Sequence, residues 1–439
     1  MKIDRRNMLK LGAVQFASLF LSRKIRASIP PERPFFKKKP SILQGATDES
    51  QTQFSVLYNS DIQLNVFVSD RNEKIWQPDK IQKTKFNEHP QMITKAFFTG
   101  LNSDETFFLN VKNSQTGLVL DRREFQTLKL TDDGLRFALC SCMDNKFHKA
   151  DIWQDLVDKN PQIIFFLGDH VYADHGAPLG ATPYKLWERF CEARQTLDIF
   201  FAPRLIPILA TWDDHDFGLN NAHSENYPHV KKSQVNFLSF FAQDEDYCHF
   251  LRRGPGVSSA FQWNSQLFVL LDDRSFRKPK RSKDRYAHWG EEQEKWMLNL
   301  IRENSGPVWI MNGSQFFPQS IFQESVSRNH QVQFEGVMAE LKNISSKIIF
   351  ASGDVHYSEV SKIEKKFLGH ETYEITSSSI HSKNSPGGLH VIPNSRRIAG
   401  TNSRNYIIVN SNIVNNNLII TVDCYNPSEN CLFHLDLCV

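Results

Sequence analysis

An α/β domain preceded by a small β-sandwich is the architecture this sequence predicts, and three observations carry it. Five apolar runs rich in β-branched residues, Ile163–Leu167, Leu205–Ala210, Leu267–Leu271, Val308–Met311 and Ile348–Phe350, each stop at a polar cluster. Short apolar runs bounded by turn residues read as buried strands. Between them lie segments with apolar residues at helical spacing, and strand alternating with helix argues for a sheet covered on both faces. Upstream, from Gln53 to Leu128, short alternating segments are separated by Asn, Asp, Gly and Ser turns, as in a sandwich.

The elements follow in chain order. In residues 1–27, Asp4-Arg5-Arg6-Asn7-Met8-Leu9-Lys10 forms a basic region, and Leu11–Leu21 is an apolar stretch too brief to span a bilayer comfortably. This leader is similar to a twin-arginine export signal, with Asp4 where that motif has Ser or Thr and Met8 for its usual Phe. A cleavage site after Ala27 has Ile25 at the −3 position, so cleavage and an uncleaved anchor both stay open. Residues 28–50, rich in Pro and Lys, read as a linker.

Residues 51–130 hold the expected sandwich, with strands at Phe54–Tyr58, Leu64–Val68, Thr94–Thr99, Thr106–Val111 and Arg123–Thr127. Thr99-Gly100-Leu101-Asn102-Ser103-Asp104-Glu105-Thr106-Phe107 resembles a corner of fibronectin type III-like domains, with Ser for Pro and Phe for Tyr. Bracing the larger domain is its expected role, rather than binding a partner. Residues 131–439 form that larger domain. Helices are predicted at Asp151–Lys159, stopped by Asn160-Pro161, from Thr182-Pro183 onward, at Glu291–Arg302 and at Phe334–Leu341. The tail returns to strands at Tyr406–Val409, Asn417–Asp423 and Cys431–Leu437 and is expected at a sheet edge.

Composition excludes some functions. With 439 residues, 40% hydrophobic and 23% charged, the chain has the makeup of an ordinary soluble globular protein. Its formal charge of +3 is misleading, because the first forty residues carry eleven Lys or Arg against Asp4 and Glu32. Subtracting that leader's +9 from +3 leaves the remainder near −6, so no specific nucleic-acid recognition is expected. Seven cysteines, an odd number, form no spaced framework, although Cys424, Cys431 and Cys438 could supply one bridge.

The polar clusters at the strand ends carry the chemistry. Gly168-Asp169-His170-Val171-Tyr172 places a carboxylate where it can bridge two cations, and a phenolate that suits a hard trivalent ion. Asp213-Asp214-His215-Asp216 puts four ionisable groups in a row, which repel one another unless cations or hydrogen bonds compensate. His215 there can stabilise charge or protonate a leaving oxygen. Asp354 and His356, two apart, share one side of an extended segment, the competing reading being a core histidine. Arg274 offers a planar fork for phosphate oxygens, and an ion pair with a neighbouring aspartate competes with that reading. Cys142 is a soft donor that favours iron or zinc over magnesium, or is simply a buried thiol.

Taken in order, Ser141-Cys142, Gly168–Asp174, Trp212–Asn220, Leu271–Arg277, Asn312-Gly313-Ser314-Gln315 and Ser352–Glu359 resemble the PhoD-like alkaline phosphatases, a branch of the calcineurin-like metallophosphoesterases. The resemblance spans Leu135 to Ser379 and departs at His170, where the family often has Tyr or Gln, and at Cys140, a second thiol. It implies a four-layer α/β/β/α domain behind a fibronectin type III-like one, and a twin-arginine export signal. It also implies ferric iron held by Cys142, Asp169 and Tyr172, with Asp354, His356 and Asn220 joining Asp169 around the iron and calcium. Asp214 is taken as a further metal ligand from its own motif, and Arg274 as the phosphate grip. The function so implied is an exported phosphoesterase, periplasmic or at the cell surface. It would hydrolyse phosphomonoesters or phosphodiesters of small molecules or polymers with a metal-activated hydroxide, Arg274 and His215 stabilising charge. The expectations are the twin-arginine translocase as partner, membrane contact only through the leader, a monomeric chain and an alkaline pH optimum. The alternatives are a phospholipase-type phosphodiesterase acting on membrane or wall polymers, and a non-catalytic surface binding protein.

Overall fold

Successive side chains along the central strands enter different apolar clusters, as period-two alternation requires of sheets buried on both faces. The computed structural model describes residues 39–129, 134–319, 323–383, 388–415, 417–428 and 430–439. The leader at 1–27 lies outside them, as do residues 28–38 of the expected linker.

Eight strands come first: Ser41–Thr47 (β1), Thr52–Asn59 (β2), Leu64–Ser69 (β3), Ile75–Trp76 (β4), Lys80–Lys85 (β5), Gln91–Phe98 (β6), Thr106–Asn113 (β7) and Val119–Gln126 (β8). They form two four-stranded sheets, β1-β2-β6-β5 and β4-β3-β7-β8, around a shared core that includes Phe54, Val66, Phe98, Leu109 and Phe125. Here the linker reading of 28–50 needs correcting. Ser41–Thr47 is a buried strand paired antiparallel with β2, its apolar residues hidden in the sequence by the Pro and Lys residues before them. β1 also knits the sandwich to the rest: Ile42 joins the sandwich core, while Leu43 and Ala46 join two clusters of the larger domain.

The larger domain adds Leu135–Cys140 (β9), Ile163–Leu167 (β10), Ile208–Thr211 (β11), Leu251–Arg253 (β12), Ser259–Trp263 (β13), Gln266–Leu270 (β14), Val308–Met311 (β15), Ile348–Ser352 (β16), Ser358–Ile363 (β17), Thr372–Thr376 (β18), Arg397–Thr401 (β19), Tyr406–Val414 (β20), Asn417–Asn426 (β21) and Asn430–Cys438 (β22). Two sheets result, β11-β10-β9-β20-β21-β22 and β12-β13-β14-β15-β16-β18-β17-β19. Each sheet is covered on both faces, by the other sheet on one side and by helices on the other. Phe137, Phe165 and Val409 of the first sheet share one cluster with Phe268, Trp309 and Ile349 of the second. Alternate residues of the first sheet, Ala138, Ile164 and Ala210, meet the helices Ala150–Asp158 (α1), Pro183–Thr196 (α2) and, beyond the short turn Asp214–Phe217 (α3), Val230–Phe240 (α4). Val269, Ile310 and Phe350 of the second meet Gly290–Glu303 (α5) and, past Val326–Asn329 (α6), Gln331–Lys342 (α7).

The C-terminal tail completes one edge of the first sheet with β22 and also reaches its middle, since β20 pairs with β9 and the three tail strands make half of that sheet. All seven cysteines are free, so the bridge considered among Cys424, Cys431 and Cys438 does not form. No helix among the described residues is long and apolar enough to cross a membrane.

A buried arginine fastens the two parts. Arg194 of α2 donates to Ser41 Oγ at 3.0 Å, Ser55 Oγ at 3.2 Å and the carbonyls of Ser41, Ser55 and Phe240 at 3.0, 2.8 and 3.0 Å. Replacing it strands several buried acceptors. Arg194→Met is expected to destabilise the protein by about 3 kcal/mol, and urea unfolding measures it; a change near zero would mean that the sandwich is not braced through this residue.

Candidate metal centre

β9, β10 and β11 run parallel in one sheet, and β14, β15 and β16 run parallel in the other. Loops leaving the carboxyl ends of such strands meet at one rim. Close backbone approach makes that meeting tight. A Cβ on Gly168, whose φ is +82°, would stand 2.6 Å from Asp213 Cβ, and one on Gly353 would stand 2.4 Å from the Leu167 carbonyl oxygen. Asp216 then ties two loops together, accepting the backbone N–H groups of Asp169 at 2.6 Å, Val171 at 2.8 Å and Asp213 at 3.0 Å. Cys142, Asp169, Asp354 and His356 all have left-handed backbones, φ +54°, +55°, +71° and +57°. Such strain costs about 1–3 kcal/mol per residue and persists where the surroundings over-determine it.

Three donor groups result, each with its ligand atoms within 4.8 Å of one another: Cys142, Asp169 and His356; Asp169, Asp214 and His215; Asp169, Asp213 and Asp354. Asp169 belongs to all three. Cys142 Sγ lies 3.6 Å from Asp169 Oδ2 and accepts hydrogen bonds from Ser141 and Ser378. Tyr172 joins through its hydroxyl, 3.1 Å from His356 Nε2, and its ring lies over His215 with centroids 4.2 Å apart. His215 Nδ1 is held at 2.7 Å by Asp174 Oδ1.

Two expected residues are placed differently. Asn220 is exposed, and it meets the site through its backbone N–H, which donates to Asp174 Oδ2 at 3.0 Å. Arg274 is fully buried, and its fork is already engaged: Nε meets Asp213 Oδ1 at 2.5 Å and Nη1 meets Glu324 Oε2 at 2.9 Å. It does not present a free edge to phosphate, and the ion-pair reading is the one realised. Sequence reasoning left three residues unassigned: Asp213 as a donor, Asp174 as the anchor of His215 and Asp216 as the loop tie. Asp213 and Asp216 lie in a run of four ionisable residues, and only the α3 turn decides which way each side chain points.

Electrostatics give the cluster its chemistry. Burial pushes the Cys142 thiol up to about 12, against the two serine hydrogen bonds. Burial, then Asp214, raises Asp354 to about 7, and burial holds Asp169 and Asp213 well above the carboxylate range. Burial would raise Asp214 too, but His215 and Arg274 outweigh it and hold it near about 2. For His215 burial opposes the charge, yet Asp214, Asp169 and Asp174 keep the ring protonated well above its ordinary range. Asp169 Oδ1 and Asp213 Oδ2 are buried without a hydrogen-bond partner. Orphaned buried carboxylate oxygens beside a thiol, a phenol and imidazoles fit cations, with oxygens for hard ions and sulfur for a softer one.

The sequence pattern of PhoD-like phosphatases matches residues 137–416. The chain belongs to the PhoD-like phosphatase family. Its fold is similar to a solved structure described as "Structure of PhoD", with a TM-score of 0.68 and 16% identity over 92% of this chain and 90% of that one. A sensor domain of the anti-sigma factor RsgI4 from Pseudobacteroides cellulosolvens, 13% identical over 21% of this chain and 92% of that one, gives a TM-score of only 0.17. No curated protein matches. As a PhoD-like phosphatase, the chain is a hydrolase of phosphoric esters, and its donor groups are candidate ligands for that family's metals.

Asp216→Ala in this phosphatase removes the acceptor of three backbone donors. A loss of about 3 kcal/mol of stability is expected, with metal affinity reduced roughly 10–100-fold; calorimetry reads both, and unchanged metal affinity would sink the loop-tie reading. A second expectation concerns pH. Asp354 and Asp216, each raised by burial to about 7 from 3.8, bind more protons folded than unfolded. Their contribution is full below pH 3.8 and is lost as pH rises through about 7. Metal-stripped protein should therefore lose melting temperature across that window, and added cation should remove the decline. A rise in melting temperature over the same range would contradict this.

Proposed function

We propose that this chain is an exported, metal-dependent phosphoesterase that hydrolyses phosphomonoesters, phosphodiesters, or both. The observation that carries the reading is Asp169, a strained, buried carboxylate shared by three donor groups. Cys142, Tyr172 and His356 with Asp169 suit iron, while Asp213, Asp214 and Asp354 with Asp169 suit calcium. Bound there, such ions supply Lewis-acid polarisation of a phosphoryl oxygen and acidify water. The chain's own residues do the rest. His215, kept protonated and oriented by Asp174 at Nδ1, has its other ring nitrogen to protonate the leaving oxygen. Arg274 orients Asp213 from behind through its Nε.

Deprotonated donors and a protonated His215 are needed together, and because His215 is held above its ordinary range this favours an alkaline optimum. The leader supports export to the periplasm or cell surface. The shared cluster between two sheets, with helices packed on their other faces, supports a four-layer α/β/β/α reading, and the eight-stranded N-terminal part supports a fibronectin type III-like one.

Chromogenic phosphomonoesters and phosphodiesters, with elemental analysis, test the assignment. Asp169→Asn and Cys142→Ala should lose bound metal and at least roughly 100-fold in activity. His215→Asn should keep its metal and lose roughly 100-fold in kcat. Near-normal turnover in all three would refute the assigned roles.

A further inference from the structure

Behind Asp213 two arginines converge on a single carboxylate oxygen. Arg274 Nη1 and Arg277 Nη1 both stand 2.9 Å from Glu324 Oε2. Each guanidinium is anchored on its other side by an aspartate of its own. Arg274 is held by Asp213 through Nε at 2.5 Å, and Arg277 by Asp273 through Nη2 at 2.5 Å and through Nε to the Asp273 carbonyl at 2.9 Å. Those anchors keep the forks in place whether or not Glu324 is present. The two Nη1 atoms thus define a seat for one oxygen of an anion. Toward solvent, Lys280 Nζ stands 3.5 Å from Glu324 Oε1, and its side chain is 60% exposed against 8% for Glu324. Glu324 is therefore the group between the surface and the arginine pair. Because Arg274 bonds Asp213, itself a donor of the metal centre, the seat adjoins that centre.

We propose that Glu324 is a resident competitor: its carboxylate occupies the oxyanion seat formed by Arg274 and Arg277, and a phosphate group binds there by displacing it. The inference rests on the phosphoesterase reading for its biological sense and on the arginine geometry for its physics. It restores to Arg274 a phosphate contact that the closed arrangement denies it. It also makes Glu324 a determinant of affinity, because displacing an internal anion subtracts from whatever the arginines and Lys280 return to the ligand. Lys280, 3.5 Å from the other carboxylate oxygen and itself mostly exposed, is placed to receive the displaced carboxylate.

Inorganic phosphate is the probe, titrated by calorimetry into the metal-loaded full chain and into two variants. Glu324→Gln keeps the volume and removes the charge, and should bind phosphate roughly tenfold tighter or better, with a lower KM for a phosphate ester. Glu324→Asp keeps the charge and should remain close to the parent. In the unaltered chain, carbodiimide labelling of Glu324, read by mass spectrometry, should increase as phosphate is added. Unchanged or weaker phosphate binding by Glu324→Gln, or labelling indifferent to saturating phosphate, would overturn the proposal. Phosphate binding needs no turnover, so a chain that binds phosphate in this manner but hydrolyses no ester would refute the enzymatic reading and leave this one standing.

Discussion

Mutual repulsion among buried acidic groups governs the rim where the strand ends meet. Asp169, Asp213, Asp214 and Asp354, with the thiol of Cys142, are packed where water cannot screen them, and most of them resist ionisation for that reason. A protein keeps such an arrangement only when something positive relieves it. His215 and Arg274 relieve part of it, chiefly at Asp214. The orphaned oxygens of Asp169 and Asp213 show where relief is still owed, and cations of the kind used by PhoD-like phosphatases are its natural source.

Much of the local architecture resists that repulsion. Four donor residues have left-handed backbones, glycines leave room for crossing loops, and Asp216 gathers three amides from two loops. Behind the rim acidic and basic side chains alternate through Asp213, Arg274, Glu324, Arg277 and Asp273, and Asp273 ends the series on the imidazole of His288, which burial keeps neutral. Buried ion pairs of this kind add little net stability, but removing one partner is expensive, so the order of the chain is enforced. Glu324 differs from its neighbours in being, among the described residues, the member of that series with an ion pair to a lysine.

The N-terminal sandwich belongs to the same mechanical unit. β1 contributes to three apolar clusters, and Arg194 fills the seam with hydrogen bonds to both β1 and β2. Such a seam suits bracing rather than flexible recruitment, and the rim's strained backbones sit on the domain that it adjoins.

Read alone, the sequence determined the local facts: which runs are strands, that Ile163–Leu167 and Val308–Met311 begin and end where they do, that Thr182-Pro183 opens a helix, and that metal-competent residues follow strand ends. These depend on periodicity and turn chemistry, which neighbours along the chain control. It also determined the family, because an ordered set of motifs is visible without coordinates. What it left open depends on contacts between distant segments. The strand at Ser41–Thr47 is recognisable only by its pairing, the order of the strands within the two sheets only by their ladders, and the donor role of Asp213 only by the turn that separates it from Asp214. Arg274 is the clearest case. Its type announces an anion partner, but whether that partner is substrate, Asp213 or Glu324 is settled by residues some 50 to 60 positions away, which only folding brings within hydrogen-bond reach.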